Sequence, residues 1–206
     1  TGLSAPVAGT DAANKTYVDS FGQWSKSGSD IYRTSGFVGI GTNTPTVSLE
    51  VNGAAKIGGI NIWHGIGGTA SNLAIGENTM LSVSSSIQNA ALGRNALWML
   101  TTGSDNTAIG DSALSGTTSG GFNTAVGYSS LNHNTTGYQN TAVGNAALNS
   151  NLIGALNVAM GDNALFNSTG NYNTALGSLA GYQNTTGGSN IFIGYNAGNH
   201  TSFSTY

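Results

Sequence analysis

Cysteine is absent, which removes disulfides and thiolate ligands and leaves the redox compartment unspecified. Charge is scarce: Asp, Glu, Lys and Arg together make up 6 % of the residues, and the formal net charge is −3. The five cations, Lys15, Lys26, Arg33, Lys56 and Arg94, are scattered. They form no basic patch, so nucleic-acid binding has no electrostatic support. No run of about 18 apolar residues is present, which argues against a membrane-spanning helix. Thr1-Gly2-Leu3-Ser4 shows neither the basic region nor the apolar core of a signal peptide. The opening on Thr1 without an initiator Met sets the expectation of a fragment or a processed product. Disordered tails carry far more charge and fewer β-branched residues, so the 32 glycines do not mark disorder here. What remains is a chain of 206 residues, room for one or two ordinary domains, whose surface is built of amides and hydroxyls.

What is present is repetition. The phrase Asn-Thr-Ala-Ile-Gly-Asp-Ser-Ala-Leu at Asn106–Leu114 recurs, with a Gly/Thr/Ser-rich link, from openings at Asn72, Asn89, Asn106, Asn123, Asn140, Asn157, Asn173 and Asn190. The period is 17 residues, with one step of 16 between Asn157 and Asn173. A fixed period of this size indicates a solenoid, in which each repeat buries its apolar face only by stacking on its neighbours.

Each repeat has an internal logic. Ala108-Ile109-Gly110, Ala125-Val126-Gly127 and Ala142-Val143-Gly144 read as short strands. Side chains alternate in a strand, so Ala and Gly face one way while Thr and Ile or Val face the other. The Ala/Gly face admits another backbone at close range, and the Ile/Val face needs a dry partner. A second apolar pair follows, as in Ala96-Leu97, Ala113-Leu114, Ala147-Leu148 and Ala164-Leu165, on either a second short strand or one helical turn. Turns at Thr102-Gly103, Thr136-Gly137, Thr169-Gly170 and Thr186-Gly187 close the coil. The repeat residues expected to carry this architecture include Asn106, Ala108, Ile109, Gly110, Leu114, Asn123, Gly127, Asn140, Gly144 and Leu148. Burying one Ile or Leu stabilises by roughly 2–3 kcal/mol, whereas ordering one residue costs about 1–2 kcal/mol. A lone ladder of this composition is marginal, and apolar groups on both faces predict a homo-oligomer, most simply a homotrimer. Eight coils spaced about 4.8 Å apart predict a ladder of roughly 40 Å.

Four segments follow. Residues 1–30 are an N-terminal neck, in which Asp11 caps a short helix presenting Tyr17, Val18 and Phe21. Residues 31–68 form a small β module and junction that caps the solenoid, with strand-like Phe37–Thr42 and Val47–Val51 and a hairpin signal at Asn52-Gly53. Residues 69–198 are the repeat solenoid, and 199–206 a C-terminal tail without an obvious cap. The fold class expected is mainly β: a trimeric β-solenoid or β-roll of eight repeats, preceded by a short helix and a small β module.

These residues resemble a known class. Pro6 followed by Asp11-Ala12-Ala13-Asn14-Lys15 and Tyr17-Val18-Asp19 is similar to the Asp-Ala-Ala-x-Lys-x-Tyr-Val-Asp segment of bacteriophage tail fibres. Val38-Gly39-Ile40-Gly41-Thr42 with Pro45, then Leu49, Val51 and Gly53, resembles a module of fibres that carry a C-terminal self-cleaving chaperone. No chaperone is recognisable in these residues. The ladder resembles the Ala-Ile-Gly repeats of trimeric autotransporter adhesin heads, whose repeats are shorter, so the coil shape is expected to differ. The resemblance implies a trimeric fibre of a phage tail or related contractile injection particle. In it, a tail or baseplate protein is bound through the N-terminal side and a glycan or surface-protein receptor on a target cell is contacted elsewhere. It implies a virion-tail or extracellular location, without membrane insertion. The alternatives are a glycan-degrading tailspike with its site between chains, and a trimeric bacterial surface adhesin head.

No enzyme site is expected. The acids Asp11, Asp19, Asp30, Glu50, Glu77, Asp105, Asp111 and Asp162 are mostly isolated, whereas a glycosidase needs two carboxylates across one bond. His64, His133 and His200 lie far apart, so no metal is expected, and no glycine run matches a phosphate loop or calls for a cofactor. Aromatics recur near the links at Trp98, Phe122, Tyr128, Tyr138, Tyr172, Tyr182 and Tyr195, either as platforms for sugar rings or as rings stacked coil on coil. Receptor contact is placed at Tyr182, Tyr195, His200 and Phe203. Threonine pairs such as Thr117-Thr118 and Thr135-Thr136 invite an ice-binding array, but the pattern breaks at Asn151-Leu152-Ile153. The Asn134-Thr135-Thr136 sequon is a by-product of composition.

Overall fold

The computed structural model describes residues 71–199 continuously and, nearer the N-terminus, the backbone of six short strands. The helix expected after Asp11 and the tail from His200 onward lie outside the described residues. The chain divides into two compact units, Thr1–Gly53 and Ala54–Tyr206. In the first, β1 (Ser25–Ser27) pairs antiparallel with β2 (Asp30–Tyr32), and β3 (Val38–Ile40) pairs parallel with β4 (Leu49–Val51).

The second unit begins with β5 (Ala55–Ile57) and β6 (Ile60–Trp63), an antiparallel pair. Strand β6 also pairs antiparallel with β7 (Leu73–Ile75), the first strand of the ladder. The strands flanking Asn52-Gly53 thus lie in different sheets, so that pair does not close a hairpin between β4 and β5. Each of these strands meets its hydrogen-bonding demand elsewhere: β4 on β3, and β5 on β6.

From β7 onward the sheet is parallel. It adds β8 (Ala90–Leu92), β9 (Thr107–Ile109), β10 (Thr124–Val126), β11 (Thr141–Val143), β12 (Val158–Met160), β13 (Thr174–Leu176) and β14 (Ile191–Ile193) in chain order. Alanines pair with alanines in register, as in Ala108, Ala125, Ala142 and Ala159. The result is a parallel β-solenoid of about seven turns. The eighth phrase, from Asn190, supplies its strand and the turn after it, while its link is not among the described residues. The 16-residue step is absorbed in the link, because the strand register Val158↔Thr174 is kept.

No helix occurs among the described residues. The Ala-Leu pairs sit on neither a second strand nor a helical turn. Asn95 and Leu97 have φ of 57° and 50°, and the same left-handed pair recurs at Ser112/Leu114, Ser129/Leu131, Ala146/Leu148 and Asn163/Leu165. A helix requires consecutive right-handed residues and a strand requires extended ones, so this alternation forbids both. The left-handed region costs a non-glycine residue roughly 1–2 kcal/mol. Two compensations hold it here. Each leucine side chain is fully buried. The backbone also bonds from coil to coil, as in Leu97 N–H to the Ala113 carbonyl at 3.1 Å and Met99 N–H to the Ser115 carbonyl at 3.0 Å. The coils are therefore laddered along the strands and also along their turns.

The interior has three columns. Strand alanines, buried as Ala74, Ala108, Ala125 and Ala142 are, face the leucine column of Leu97, Leu114, Leu131, Leu148 and Leu165. Beside them runs an unbroken ladder of buried asparagine amides. The Oδ1 of Asn106 accepts from the backbone N–H of Asn123 at 3.1 Å and from its Nδ2 at 3.1 Å. The Asn123 Nδ2 also donates to the Gly137 carbonyl at 2.9 Å, tying the start of a strand to the link that ends the same coil. The pattern repeats from Asn72 to Asn190. This is why the phrase opens on Asn: only a side chain that donates and accepts can serve both the coil beside it and its own link.

The glycine that ends each strand admits another backbone at close range, as its small size leads one to expect, and that backbone is the next coil's. It lets successive coils approach along the axis: a Cβ on Gly110 would lie 2.5 Å from the Gly127 carbonyl oxygen. At the far end the core is plugged. Phe192 takes the place of a strand alanine, and glycine replaces leucine at Gly181 and Gly198; a Cβ on Gly181 would lie 2.6 Å from the Phe192 ring. The final coil therefore closes on one buried aromatic ring.

Candidate functional site

With Ala turned inward, the other face of every strand turns outward. It carries Ile75, Leu92, Ile109, Val126, Val143, Met160, Leu176 and Ile193, one per coil, in a continuous aliphatic stripe. Leu92, Ile109, Met160 and Ile193 are exposed, Ile193 by 68 %. Thr107, Thr124, Thr141 and Thr174 run beside it, half-buried. Parallel sheets are normally covered on both faces, and among the described residues only the inner one is covered.

The corner after each strand carries a polar column. Arg94 and Asp111, on adjacent coils, form an ion pair at 2.7 Å. The Ser112 hydroxyl, donating at 2.7 Å, and the Arg94 guanidinium together hold the Asp111 carboxyl below the usual carboxylate range. Further along, Asn145 and Asn163 donate to Asp162. A depressed folded pKa contributes stability above the unfolded value, near 3.9, that is lost as pH falls through the folded one. The pair is solvent-exposed, so its effect is small and screened by salt. We expect D111N to melt slightly below the native protein at neutral pH and to match it once the pH has fallen through the lowered carboxyl pKa of the folded state. Thermal melts across that range check this, and a gap that persists at low pH would assign the effect to packing.

The aromatics separate into three columns. Tyr128 and Tyr195 stand on the corner just described, and Tyr195 is 77 % exposed. Phe166 and Tyr182 stack with centroids 5.4 Å apart on the leucine side, so Tyr182 is a stacked ring there and is not brought together with Tyr195. His200 and Phe203 lie outside the described residues. Phe122, Tyr138 and Tyr172 occupy the corner before the next strand and are all exposed.

At that last corner lies a groove of about 460 Å³, crossing three coils. Phe122 and Tyr138 stand along it, Thr102, Ser119, Thr136, Ser104 and Gln139 supply hydroxyls and an amide, and Gly103 and Gly121 complete its lining. Sequence reasoning missed it. The available signal was that Phe122 and Tyr138 hold the last and penultimate positions of successive repeats, which puts them on neighbouring coils at one corner.

The remaining motifs take structural places. Hydroxyls of Thr101, Thr118, Thr135 and Thr169 donate to carbonyls of the next coil, so that column is used in stacking. Asn134 of the sequon is fully buried. His133 faces the Asn149 carbonyl at 3.1 Å. Among the described residues no group of His, Asp or Glu is placed to hold a metal ion, and no helix is long and apolar enough to cross a membrane. Comparison with models of protein families, with curated proteins and with solved structures finds no match.

Proposed function

We propose that this chain is a structural, receptor-binding segment of a bacteriophage tail fibre, or of the fibre of a related contractile injection particle. Three copies associate through their strand faces and hold the particle against a target cell surface. The observation that carries the reading is the aliphatic stripe from Ile75 to Ile193 on the outer face of the parallel sheet. A stripe of this length at fixed register marks an interaction surface, and a second copy offers the same register of side chains at the same spacing. The sequence resemblance to tail fibres supplies the biological setting. The N-terminal side would join the tail or baseplate, and three copies of each exposed corner would bind a receptor with avidity even where each contact is weak.

Light scattering across a dilution series tests the assembly. The expected mass is three times the 20.7 kDa of the chain, unchanged on dilution. Carboxylates on the stripe should break it: V126D combined with V143D is expected to run at the mass of one chain. A native protein that is monomeric at every concentration would sink the fibre reading. Attachment is tested separately, with fluorescently labelled protein on a panel of bacterial cells. Saturable binding is expected, and its absence across the panel would overturn the receptor-binding part.

A further inference from the structure

We infer that the corner groove between Thr102 and Gln139 is a binding site for a neutral carbohydrate chain, lying along the solenoid axis. The inference deepens the attachment reading and rests on it for its biological meaning, while its chemistry stands on the groove alone. Three features define the ligand. First, Phe122 and Tyr138 are 64 % and 49 % exposed on neighbouring coils, and both line the same groove. Rings left this open on a small corner offer flat apolar faces of the kind that the C–H faces of a sugar ring cover. Second, Thr102, Ser119 and Thr136 hold the same position of three successive repeats, so their hydroxyls recur at the coil spacing of about 4.8 Å. Ser104 and Gln139 add a further hydroxyl and an amide. Hydroxyls and amides both donate and accept, which suits a ligand whose hydroxyls do the same. Third, none of the residues lining the groove is charged, so nothing there offsets the desolvation of an anionic or cationic ligand.

The volume falls within the range of small-ligand sites, and the groove is open to solvent and lined from three successive coils, which suits a chain better than a single compact molecule. Its backbone is not a free strand edge. Phe122 N–H donates to the Ser104 carbonyl and Gln139 N–H to the Gly121 carbonyl, so an extended peptide finds those groups already used within the coil stack. No strand residue lines the groove, so association through the strand faces does not use its lining.

The test titrates the full chain with maltohexaose, cellohexaose and chitohexaose as neutral probes. Dextran sulfate and an extended octapeptide serve as contrasts. Binding is read by ligand-observed NMR and calorimetry. We expect at least one neutral oligosaccharide to bind, with an affinity insensitive to added salt. F122A and Y138A should each weaken it by about fivefold to tenfold, and together by more, at unchanged light-scattering mass. Y128A, an exposed ring on another corner, should leave it unchanged. The inference is overturned if none of the three neutral probes binds, if only the sulfated polymer or the peptide binds, or if the double variant binds as the native protein does. Cell binding separates the two readings. A double variant that still attaches to cells removes the groove from the receptor site and leaves attachment standing. A native protein that binds an oligosaccharide through these rings but no cell removes attachment and keeps the groove.

Discussion

Replacing Asn123 with alanine is expected to lower the free energy of unfolding by about 3–5 kcal/mol, an unusually large effect for a single polar side chain. The Asn123 amide is fully buried and makes contacts in three directions. Its Nδ2 donates to Asn106 Oδ1 and to the Gly137 carbonyl, and its Oδ1 accepts the Asn140 backbone N–H at 3.0 Å and the Asn140 Nδ2 at 3.1 Å. Alanine removes all of these at once and leaves the donors of Asn140 buried. Each orphaned buried group costs roughly 1–3 kcal/mol, and two such donors with the cavity give the total. Asn123→Asp keeps the shape and is expected to be worse, since it sets a carboxylate oxygen against the Asn106 Oδ1 and the Gly137 carbonyl, where a donor is required. Guanidinium titrations of native and variant proteins at one protein concentration measure both, the fixed concentration being needed if unfolding is coupled to assembly. A loss below about 1 kcal/mol for Asn123→Ala would mean that the amide ladder is a consequence of stacking and not a cause.

The second large effect is expected at the strand-ending glycines. Gly110 has φ of +134°, and a Cβ there would lie 2.5 Å from the Gly127 oxygen and 2.7 Å from its carbonyl carbon. Both are backbone atoms of a coil hydrogen-bonded to its neighbours, so they cannot rotate away as a side chain would. Backbone strain of about 1–3 kcal/mol and overpacking of about 1–3 kcal/mol add, and G110A is expected to lose about 3–6 kcal/mol or to fail to fold. Gly194 separates the two causes, because its φ is +113° but no atom lies within 4 Å of its would-be Cβ. G194A carries the strain alone and should cost about 1–3 kcal/mol. Equal losses at both positions, read in parallel denaturant melts, would refute close coil stacking as the reason for these glycines.

Much of the solenoid is legible in the sequence. The 17-residue period implies stacking of equivalent coils, and the alternation within Thr107-Ala108-Ile109 predicts one small inward face and one larger outward face. The Ala-Leu pair alone points to a strand or a helical turn, since periodicity over so few residues separates neither and an isolated leucine avoids positive φ. Here burial of Leu114 and the ladder to the next coil hold it at 51°, a compensation that exists only once neighbouring coils are present. The hairpin signal at Asn52-Gly53 does not join β4 to β5, for a related reason. Turn chemistry is local, while the partners of β4 and β5 are chosen by strands on either side.

The site divides along the same line. Aromatic residues near the links were visible as a list, but a list in sequence mixes three corners of one coil. Position within the repeat sorts Tyr128 and Tyr195 from Tyr182 and from Phe122 and Tyr138, but only the coil path shows the Phe166–Tyr182 stack and the groove beside Phe122 and Tyr138. Replacement of alanine by Phe192 and of leucine by Gly181 and Gly198 was likewise present in the sequence, without meaning until the ring was seen to fill the space those residues leave.

By itself, then, the sequence determined the period, the strand alternation, the place of asparagine at the head of each coil and the scarcity of charge, because these depend on residue order and composition alone. The tertiary structure decided the handedness of the leucine turns, the direction of the glycine contacts, the pairing of β5 and β6 with the ladder and the groove at the corner. Apart from the strand pairing of β5 and β6, which joins nearer residues, each of those is set by atoms about 17 residues apart in the chain that meet only when one coil lies on the next.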